Sequence, residues 1–536
     1  MDIIATNITS PLGITTDENL DAVVNGHTAL RRHEAGERGV PFVYCASLFE
    51  EAPDFETLAY DSASRAMADA KGIDRKRTVF ILSSTKGDIT TPLAETARRI
   101  AHRLGIDNEP IVVCNACISG VAAMVLAMRL LRSGAYEYAV VTGADVMNDF
   151  IVSGFQSLKA LSPEPCRPFD IERLGLNLGE AAATIVAKAH TAEEGLWRMT
   201  AGAIANDAYH LTNPHPQGEG AYRALAEVMR QTEATGARKE WLGEISAHGT
   251  ATMYNDQMES KAVERCGLSD IPLSALKGFY GHTMGAAGLL ETILTMCAMD
   301  NGIIPATKGF EEIGVSGKVN ISGKQRTTDK RGFIKMMSGF GGANAAIAMR
   351  RGCDKAGNDA TKPCNVAHEV VGEVSLGDAD VNALYREMIG DYPKFHKMDD
   401  LSKMAFMAVE MLIREYGAEK LDDNLAVILF NRTSSVVADR KYDATISDPE
   451  NHFASPSMFI HTLPNISIGE VAIRHGIHGE TSFYILEERD EEMMHNIINA
   501  TLRENGTRHV ITGWIDCPEN GDSVCDLKLI TNHNPL

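Results

Sequence analysis

Pro110-Ile111-Val112-Val113-Cys114-Asn115-Ala116-Cys117-Ile118-Ser119-Gly120 is the stretch on which the fold of this chain turns. It opens with a short apolar run rich in β-branched residues, the pattern of a strand buried on both faces. From residue 118 to 133 small and apolar residues occupy every face of a helical pattern, and Gly134 stands where a C-terminal cap falls. A buried strand that feeds a buried helix aims Cys117 at solvent from a helix N-terminus. The unpaired N–H groups and partial positive charge there favour thiolate over thiol, so the spacing predicts a lowered thiol pKa and a competent acyl acceptor. Taken alone, the cysteine reads equally well as a small buried hydrophobe, as Cys114 does.

Working outward, residues 78–82 and 138–142 repeat the buried-strand pattern, and strands alternate with long helical stretches from residue 1 to about 352. That alternation predicts a layered α/β fold. Residues 353–369 lack periodicity and are rich in breakers, which marks a linker. Beyond it, residues 370–536 echo the first 150: 401–413 echo the helix at 61–70, 425–430 the strand at 78–82, and 509–513 the strand at 139–143. On that alignment Pro464-Asn465-Ile466-Ser467-Ile468-Gly469 takes the place of the Cys117 turn, with Ser467 where the thiol stands, which predicts a segment without catalysis. Coincidence among α/β strands is the competing reading.

Two further loops carry chemistry. His248, in Ser246-Ala247-His248-Gly249-Thr250, and His282, in Phe279-Tyr280-Gly281-His282-Thr283-Met284-Gly285, both read as strand exits flanked by glycine, where open α/β sheets place their ligands. Two imidazole donors in a dry pocket hold an enolate oxygen better than one, whereas a lone histidine among 17 is more often structural. Lys277 and Glu291 flank His282 and read as a buried pair orienting the histidines, or as an ordinary helix-start pair. Ser338-Gly339-Phe340-Gly341-Gly342 is a glycine turn outside any strand-GxGxxG-helix context; in an acyl-transfer enzyme the backbone N–H groups of Phe340 and Cys117 would form an oxyanion hole.

Composition bounds the rest. The chain has 536 residues, 44% of them hydrophobic and 23% charged, with a formal charge of −21, which suits two or three globular units and excludes a phosphate-backbone partner. Arg99, Arg103, Arg129 and Arg132 read as a solvated helix face, or as a local basic patch for an acidic carrier. No apolar run is long enough to span a bilayer, and the start of the chain lacks a leader pattern, which together predict a cytoplasmic protein. The ten cysteines are scattered through a chain too large to need staples, so reduced thiols are expected rather than disulfides or a metal site.

Residues 1 to about 352 resemble a β-ketoacyl-[acyl-carrier-protein] synthase. The matching landmarks are Ser10-Pro11-Leu12-Gly13, Asn115-Ala116-Cys117, Arg167-Pro168-Phe169-Asp170 with Gly179-Glu180, Asp207-Ala208-Tyr209-His210, His248-Gly249-Thr250, Lys277 with Gly281-His282, Gly285-Ala286-Ala287-Gly288 and Gly339-Phe340-Gly341-Gly342. The resemblance implies a thiolase-like α/β fold of two similar half-domains in five αβαβα layers, here 1–239 and 240–352. It implies Cys117 as nucleophile, His248 and His282 as the decarboxylating pair of the elongating branch, and Lys277 and Glu291 behind them. Thr250, Thr252, His210, Ser338 and Gly339 would line the acyl gate, and Asp256 and Glu259 would form a structural turn. It further implies substrates carried on the phosphopantetheine of acyl carrier protein, no cofactor or metal of the enzyme's own, and a homodimer or a heterodimer with a synthase-like partner. A malonyl decarboxylase, a thioester hydrolase and a partner-dependent subunit are the alternatives; the second cysteine of a degradative thiolase is missing near the glycine turn. Ser338 and Gly278 are smaller than the family's usual residues, which predicts a looser gate and bulky primers. Residues 370–536 resemble, more faintly, the N-terminal half of a cysteine-less chain-length-factor type of protein.

Overall fold

The structure, a computed structural model, describes residues 1–190, 195–234, 239–352, 368–377, 379–448, 452–504 and 507–533. Residues 353–367 of the expected linker lie outside these. The chain opens with β1 (Asp2–Thr9), α1 (Phe55–Asp69), β2 (Thr78–Ser83), α2 (Leu93–Arg103), β3 (Ile111–Val113), α3 (Ser119–Ser133), β4 (Tyr138–Asp145) and β5 (Ala181–Lys188). It continues with β6 (Trp197–Asn206), α4 (Glu219–Ala234), β7 (Glu244–Ser246), α5 (Met253–Arg265), β8 (Pro272–Ser274), α6 (Ala287–Asp300), β9 (Gly332–Gly339) and β10 (Ala343–Arg351). The C-terminal segment holds β11 (His368–Ser375), α7 (Asp400–Tyr416), β12 (Ala426–Asn431), α8 (Ile466–His475), β13 (Thr481–Ile485), α9 (Glu491–Glu504), β14 (His509–Asp516) and β15 (Val524–Asn532).

The apolar helices form the middle of the molecule. Every residue of α3 from Ser119 to Leu131 is buried, and α6 is buried almost throughout. The two pack on each other, with α3 reaching strands β4 and β10 and α6 reaching β5 and β9, while α1 and α4 cover the outer faces. Helix, sheet, helix, sheet, helix is the five-layer order expected. Ala116–Ser133 is long and apolar enough to cross a membrane, contrary to the sequence reading, but it is the inner helix of this sandwich. Gly134 closes α3 with φ 79°, as its position predicts.

Sixteen strands hydrogen-bond in one order: the short strand Asn320–Ile321, then β8-β7-β9-β10-β6-β1-β5-β4-β2-β3-β13-β12-β14-β15-β11. Strand β6 pairs with β10 along nine positions and with β1 along two. β6 and α4 therefore sit with the second half-unit, and the junction falls just before Trp197 rather than at residue 239.

The C-terminal segment is a third half-unit. From β3 outward the order is β3-β2-β4-β5-β1, and from β13 outward it is β13-β12-β14-β15-β11, with the same parallel and antiparallel senses at each step. Counterparts follow from this mirrored order. β13 corresponds to β3, so the turn that answers the Cys117 turn is the one after β13, at Leu486-Glu487, and not the stretch around Ser467. Ser467 sits at the start of α8, the counterpart of α2. The Asn-x-Ser pattern at 465–467 thus belongs to a helix start, whereas Asn115-Ala116-Cys117 belongs to a strand exit.

This third unit docks onto the first through the sheet itself. β13 runs antiparallel to β3, with Tyr484 opposite Val113 and Ile485 opposite Val112, and the Phe483 N–H donates to Asn115 Oδ1 at 2.7 Å. α9 packs on α3. Arg129, fully buried, forms a two-pronged ion pair with buried Glu480 at 2.9 and 2.7 Å. Lys86 Nζ reaches Asp439 at 2.5 Å and Ser435 at 3.2 Å. The four arginines form no common basic patch, and Arg129 departs from the solvated-face reading: Arg99 and Arg103 pair with Glu56, Arg132 donates to the Thr200 carbonyl, and Arg129 is interior because the C-terminal unit covers its helix.

Candidate active site

Cys117, His248 and His282 converge. Their ligand-type atoms lie within 4.8 Å of one another, and the two imidazole rings meet edge to face at 5.0 Å between centroids. The turns that aim them are strained: Ala116 before the cysteine (φ 48°), Ala251 after the first histidine (φ 62°) and Met284 after the second (φ 47°) are left-handed without being glycine. Such positions persist only where the surrounding structure holds them, and they collect at functional sites. His282 follows the helical turn Lys277–Tyr280, so it does not stand directly at a strand end.

Hydrogen bonds fix both tautomers. Lys277 Nζ lies 3.2 Å from His248 Nδ1 and donates to the His248 carbonyl at 2.7 Å and to Glu291 Oε1 at 2.6 Å. The Met284 N–H donates to His282 Nδ1 at 3.0 Å. Each Nδ1 is an acceptor, so each neutral ring carries its proton on Nε2; that of His282 is buried and unpaired, facing the site. Burial, then the positive charge of Lys277, holds both imidazoles well below the usual histidine pKa, so both are neutral donors at pH 7. A metal ligand needs the opposite tautomer, with Nδ1–H donating to an outer partner, so the three side chains suit a developing oxyanion better than a cation.

The thiol departs from the sequence expectation. Cys117 is 8% exposed, and burial pushes its pKa up to about 12, against the pull of Lys277 and of the N–H groups of Cys117 and Phe340. Desolvation outweighs the helix terminus, and the resting group is a thiol. The same two N–H groups both favour the charged sulfur, and a Cβ on Gly339 would sit 3.1 Å from Cys117 N, so the Phe340 turn lies against the nucleophile where an oxyanion hole is needed.

Several supports escaped the sequence reading. Lys335, on β9, is fully buried and pairs with Glu291 Oε2, so Glu291 bridges two ammonium groups; Lys335 Nζ also donates to the Ala247 carbonyl at 2.8 Å. A lone lysine inside Phe333-Ile334-Lys335-Met336-Met337 was the available signal, because a charge buried there needs a partner. Asp145, at the end of β4, accepts from the Gly285 N–H at 2.7 Å and from Ser84 Oγ at 2.7 Å and thereby holds the His282 loop. Glu259 accepts from the N–H groups of His248 and Gly249, both at 2.7 Å, and Asp256 from that of Phe169 at 2.6 Å; the expected structural turn is the base of the His248 loop.

A cavity of ≈ 300 Å³ leads from Cys117 past His210, Thr250, Thr252, Ser338 and Gly339 to exposed Met253 and Tyr254, so the expected gate residues share one channel. Beyond the thiol lies an apolar cavity of ≈ 20 Å³ walled by Phe155, Phe340 and, from the C-terminal unit, Phe459, Thr462 and Leu463. Room for one methyl-sized group does not match the looser gate expected from Ser338 and Gly278. Ser338 Oγ donates to Asn344 Oδ1 at 2.7 Å, and Gly278 is small because the Lys308 carbonyl would lie 2.4 Å from any Cβ there. Both are packing solutions.

Comparison with known proteins agrees with this geometry. Residues 89–192 match the N-terminal and residues 198–311 the C-terminal domain of β-ketoacyl synthases. A 3-oxoacyl-[acyl-carrier-protein] synthase 2 of Vibrio harveyi is 30% identical over 296 residues, covering 52% of this chain and 69% of that protein. A structure titled PfaC Keto synthase-Chain length factor superposes on 99% of this chain and 78% of its own with a TM-score of 0.82 at 13% identity. A ketosynthase (ApeO) solved in complex with its chain length factor (ApeC) from Xenorhabdus doucetiae covers 65% of this chain and 97% of its own, TM-score 0.57, 23% identity. The fold and the Cys-His-His centre define a thiolase-fold condensing enzyme. The chain belongs to the β-ketoacyl synthase family and is an acyltransferase of the 3-oxoacyl-[acyl-carrier-protein] synthase class.

Proposed function

We propose that this chain performs decarboxylative condensation of a short acyl thioester with a malonyl thioester, both carried on the phosphopantetheine of an acyl carrier protein, in fatty-acid or specialised polyene or polyketide synthesis. The observation that carries the reading is the pair of neutral histidines with Nε2–H groups facing a thiol that is itself served by two backbone N–H groups. Cys117 gives up its proton and attacks the acyl carbonyl; the N–H groups of Cys117 and Phe340 hold the tetrahedral oxyanion, and the carrier thiol leaves with a proton. Malonyl thioester then enters the channel. Loss of carbon dioxide leaves an enolate whose oxygen accepts from His248 and His282; its carbon attacks the acyl carbonyl, the acyl–sulfur bond breaks, and the freed Cys117 thiolate takes up a proton from water. Lys277 and Glu291 orient His248 without touching substrate.

The ≈ 300 Å³ channel, with threonine hydroxyls along it and an apolar rim, suits the slender pantetheine arm, and no cofactor of the enzyme's own enters the scheme. The C-terminal unit serves as the synthase-like partner in cis, covering the β3 edge and flooring the acyl cavity. The eight described cysteines are all unpaired, which supports a reducing, cytoplasmic setting. A second reading, decarboxylation without condensation, is favoured by the ≈ 20 Å³ cavity, which leaves little room for a primer.

Intact-mass analysis separates the two. Acetyl- and malonyl-carrier protein are incubated with the enzyme and with Cys117→Ala. Condensation predicts an acetyl adduct on Cys117 and a ketoacyl-carrier product that the variant cannot make. Conversion of malonyl- to acetyl-carrier protein with no ketoacyl product would favour the second reading, and a ketoacyl product made by Cys117→Ala would defeat the first.

A further inference from the structure

The turn Gly339-Phe340-Gly341-Gly342, which supplies one of the two N–H groups acting on the Cys117 sulfur, is held from outside by the C-terminal unit. Asn465 Nδ2 donates to the Phe340 carbonyl at 2.9 Å. A Cβ on Gly341 (φ 83°) would sit 2.8 Å from Asn465 Nδ2, and one on Gly469 would sit 2.8 Å from the Gly341 Cα, so the start of α8 lies directly on the turn. Asn206 Nδ2 ties the Gly341 carbonyl at 2.8 Å to Thr481 Oγ1 at 3.0 Å, a second link to the same unit. The Phe340 ring packs with Leu463 and Ile466.

Asn465 is not spent on its own helix. It precedes α8 with helical dihedrals (φ −66°, ψ −12°), and the N–H groups of Ile466 and Ser467 already donate to the Leu463 and Pro464 carbonyls, so its side chain is not required as a cap. Its amide turns to the Phe340 carbonyl instead, and Oδ1 is left buried without a partner. A side chain kept at 5% exposure with one atom unsatisfied, and bonded only to the Phe340 turn, is poorly explained by the needs of its own helix.

We propose that Asn465 is a positioning residue for acyl transfer: it fixes the Phe340 peptide from the C-terminal unit, so that the unit lacking a nucleophile sets the rate at which Cys117 is acylated. The inference rests on the reading of Cys117 as acyl acceptor. The partner of the turn is thus a segment of the same chain, reaching across 125 residues of sequence.

The test uses the full chain, with Asn465→Leu, which keeps the volume, and Asn465→Asp, which faces a carboxylate to the Phe340 carbonyl. Three rates are read with small N-acetylcysteamine thioesters, which need no carrier docking: acetylation of Cys117, carbon dioxide release from the malonyl thioester, and alkylation of Cys117 by iodoacetamide. Losing an oxyanion donor outright lowers a rate roughly 10²- to 10³-fold, and misplacing one is expected to slow acetylation about 10- to 100-fold in Asn465→Leu and further in Asn465→Asp. Decarboxylation, which uses the histidines, stays within about twofold of wild type, and alkylation, which forms no oxyanion but feels the Phe340 N–H through the sulfur, falls less than acetylation does. Because the leucine also removes an unsatisfied buried oxygen, its melting temperature stays close to that of wild type. Unchanged acetylation overturns the proposal. So does a joint fall of all three rates with a lowered melting temperature, which would make Asn465 a folding residue. Wild-type enzyme that takes no acetyl group on Cys117 fails the reading beneath it, a result distinct from either.

Discussion

Replacing Arg129 by methionine tests how firmly the C-terminal unit is joined to the synthase. Arg129 and Glu480 are both fully buried and meet through two hydrogen bonds of 2.9 and 2.7 Å, and Arg129 Nη1 also reaches Thr501 Oγ1 at 3.2 Å. Methionine fills much of the volume but strands a carboxylate in the interior, with the Ser482 hydroxyl at 3.0 Å as a remaining donor. Removing one member of a buried pair costs about 3–5 kcal/mol, whereas replacing both by apolar groups of similar size is close to neutral. Since the pair sits where α3 meets the start of β13, the cost falls on the β3–β13 joint. At about 1.4 kcal/mol per factor of ten, amide hydrogen exchange of residues 481–485 should accelerate on the order of a hundred- to several-thousand-fold in Arg129→Met and return most of the way in Arg129→Met with Glu480→Leu. Exchange unchanged in the single variant, or a double variant as open as the single one, would refute the reasoning.

Other outcomes follow from the site. His282→Ala removes one of two enolate donors, so carbon dioxide release from malonyl thioester should fall roughly 10²- to 10³-fold while Cys117 stays open to alkylation; undiminished release would assign decarboxylation elsewhere. With the Cys117 pKa near 12, the thiol is protonated at neutral pH and its thiolate fraction rises about tenfold per pH unit. Iodoacetamide labelling should therefore climb steadily from about pH 7 to about pH 10, and a plateau near neutrality would contradict the buried-thiol description. Deleting residues 370–536 uncovers the β3 edge and the apolar faces beneath α9, so the remaining residues 1–369 should self-associate, seen as a shifted elution volume or loss of soluble protein. Unchanged solubility and product profile would deny the unit any role.

What the sequence made legible was local. Cys117, His248, His282 and the Phe340 turn stand in short glycine-flanked motifs whose spacing follows from the chemistry, and the apolar run of 118–133 announced a buried helix. The groups that hold them are distant in sequence: Asp145 grips a loop 140 residues on, and Asn465 a turn 125 residues back. No periodicity encodes such meetings. The thiolate expectation weighed a helix end but not the desolvation of a thiol held at 8% exposure. Ser467 was matched to the nucleophile because short strand patterns fix neither register nor order; only the mirrored pairing around β3 and β13 shows which turn answers which. Arg129 read as surface because nothing in its own helix reveals what covers it.

The pairing of β3 with β13 also sets how the enzyme responds to its own abundance. Two separate polypeptides that share a strand joint part company on dilution, and their ratio depends on how much of each is made. Here both sides of the joint lie on one backbone, so each meets the other at a local concentration fixed by the connecting residues. The catalytic unit and its cover arrive in equal number with every chain synthesised, and this joint does not come apart on dilution.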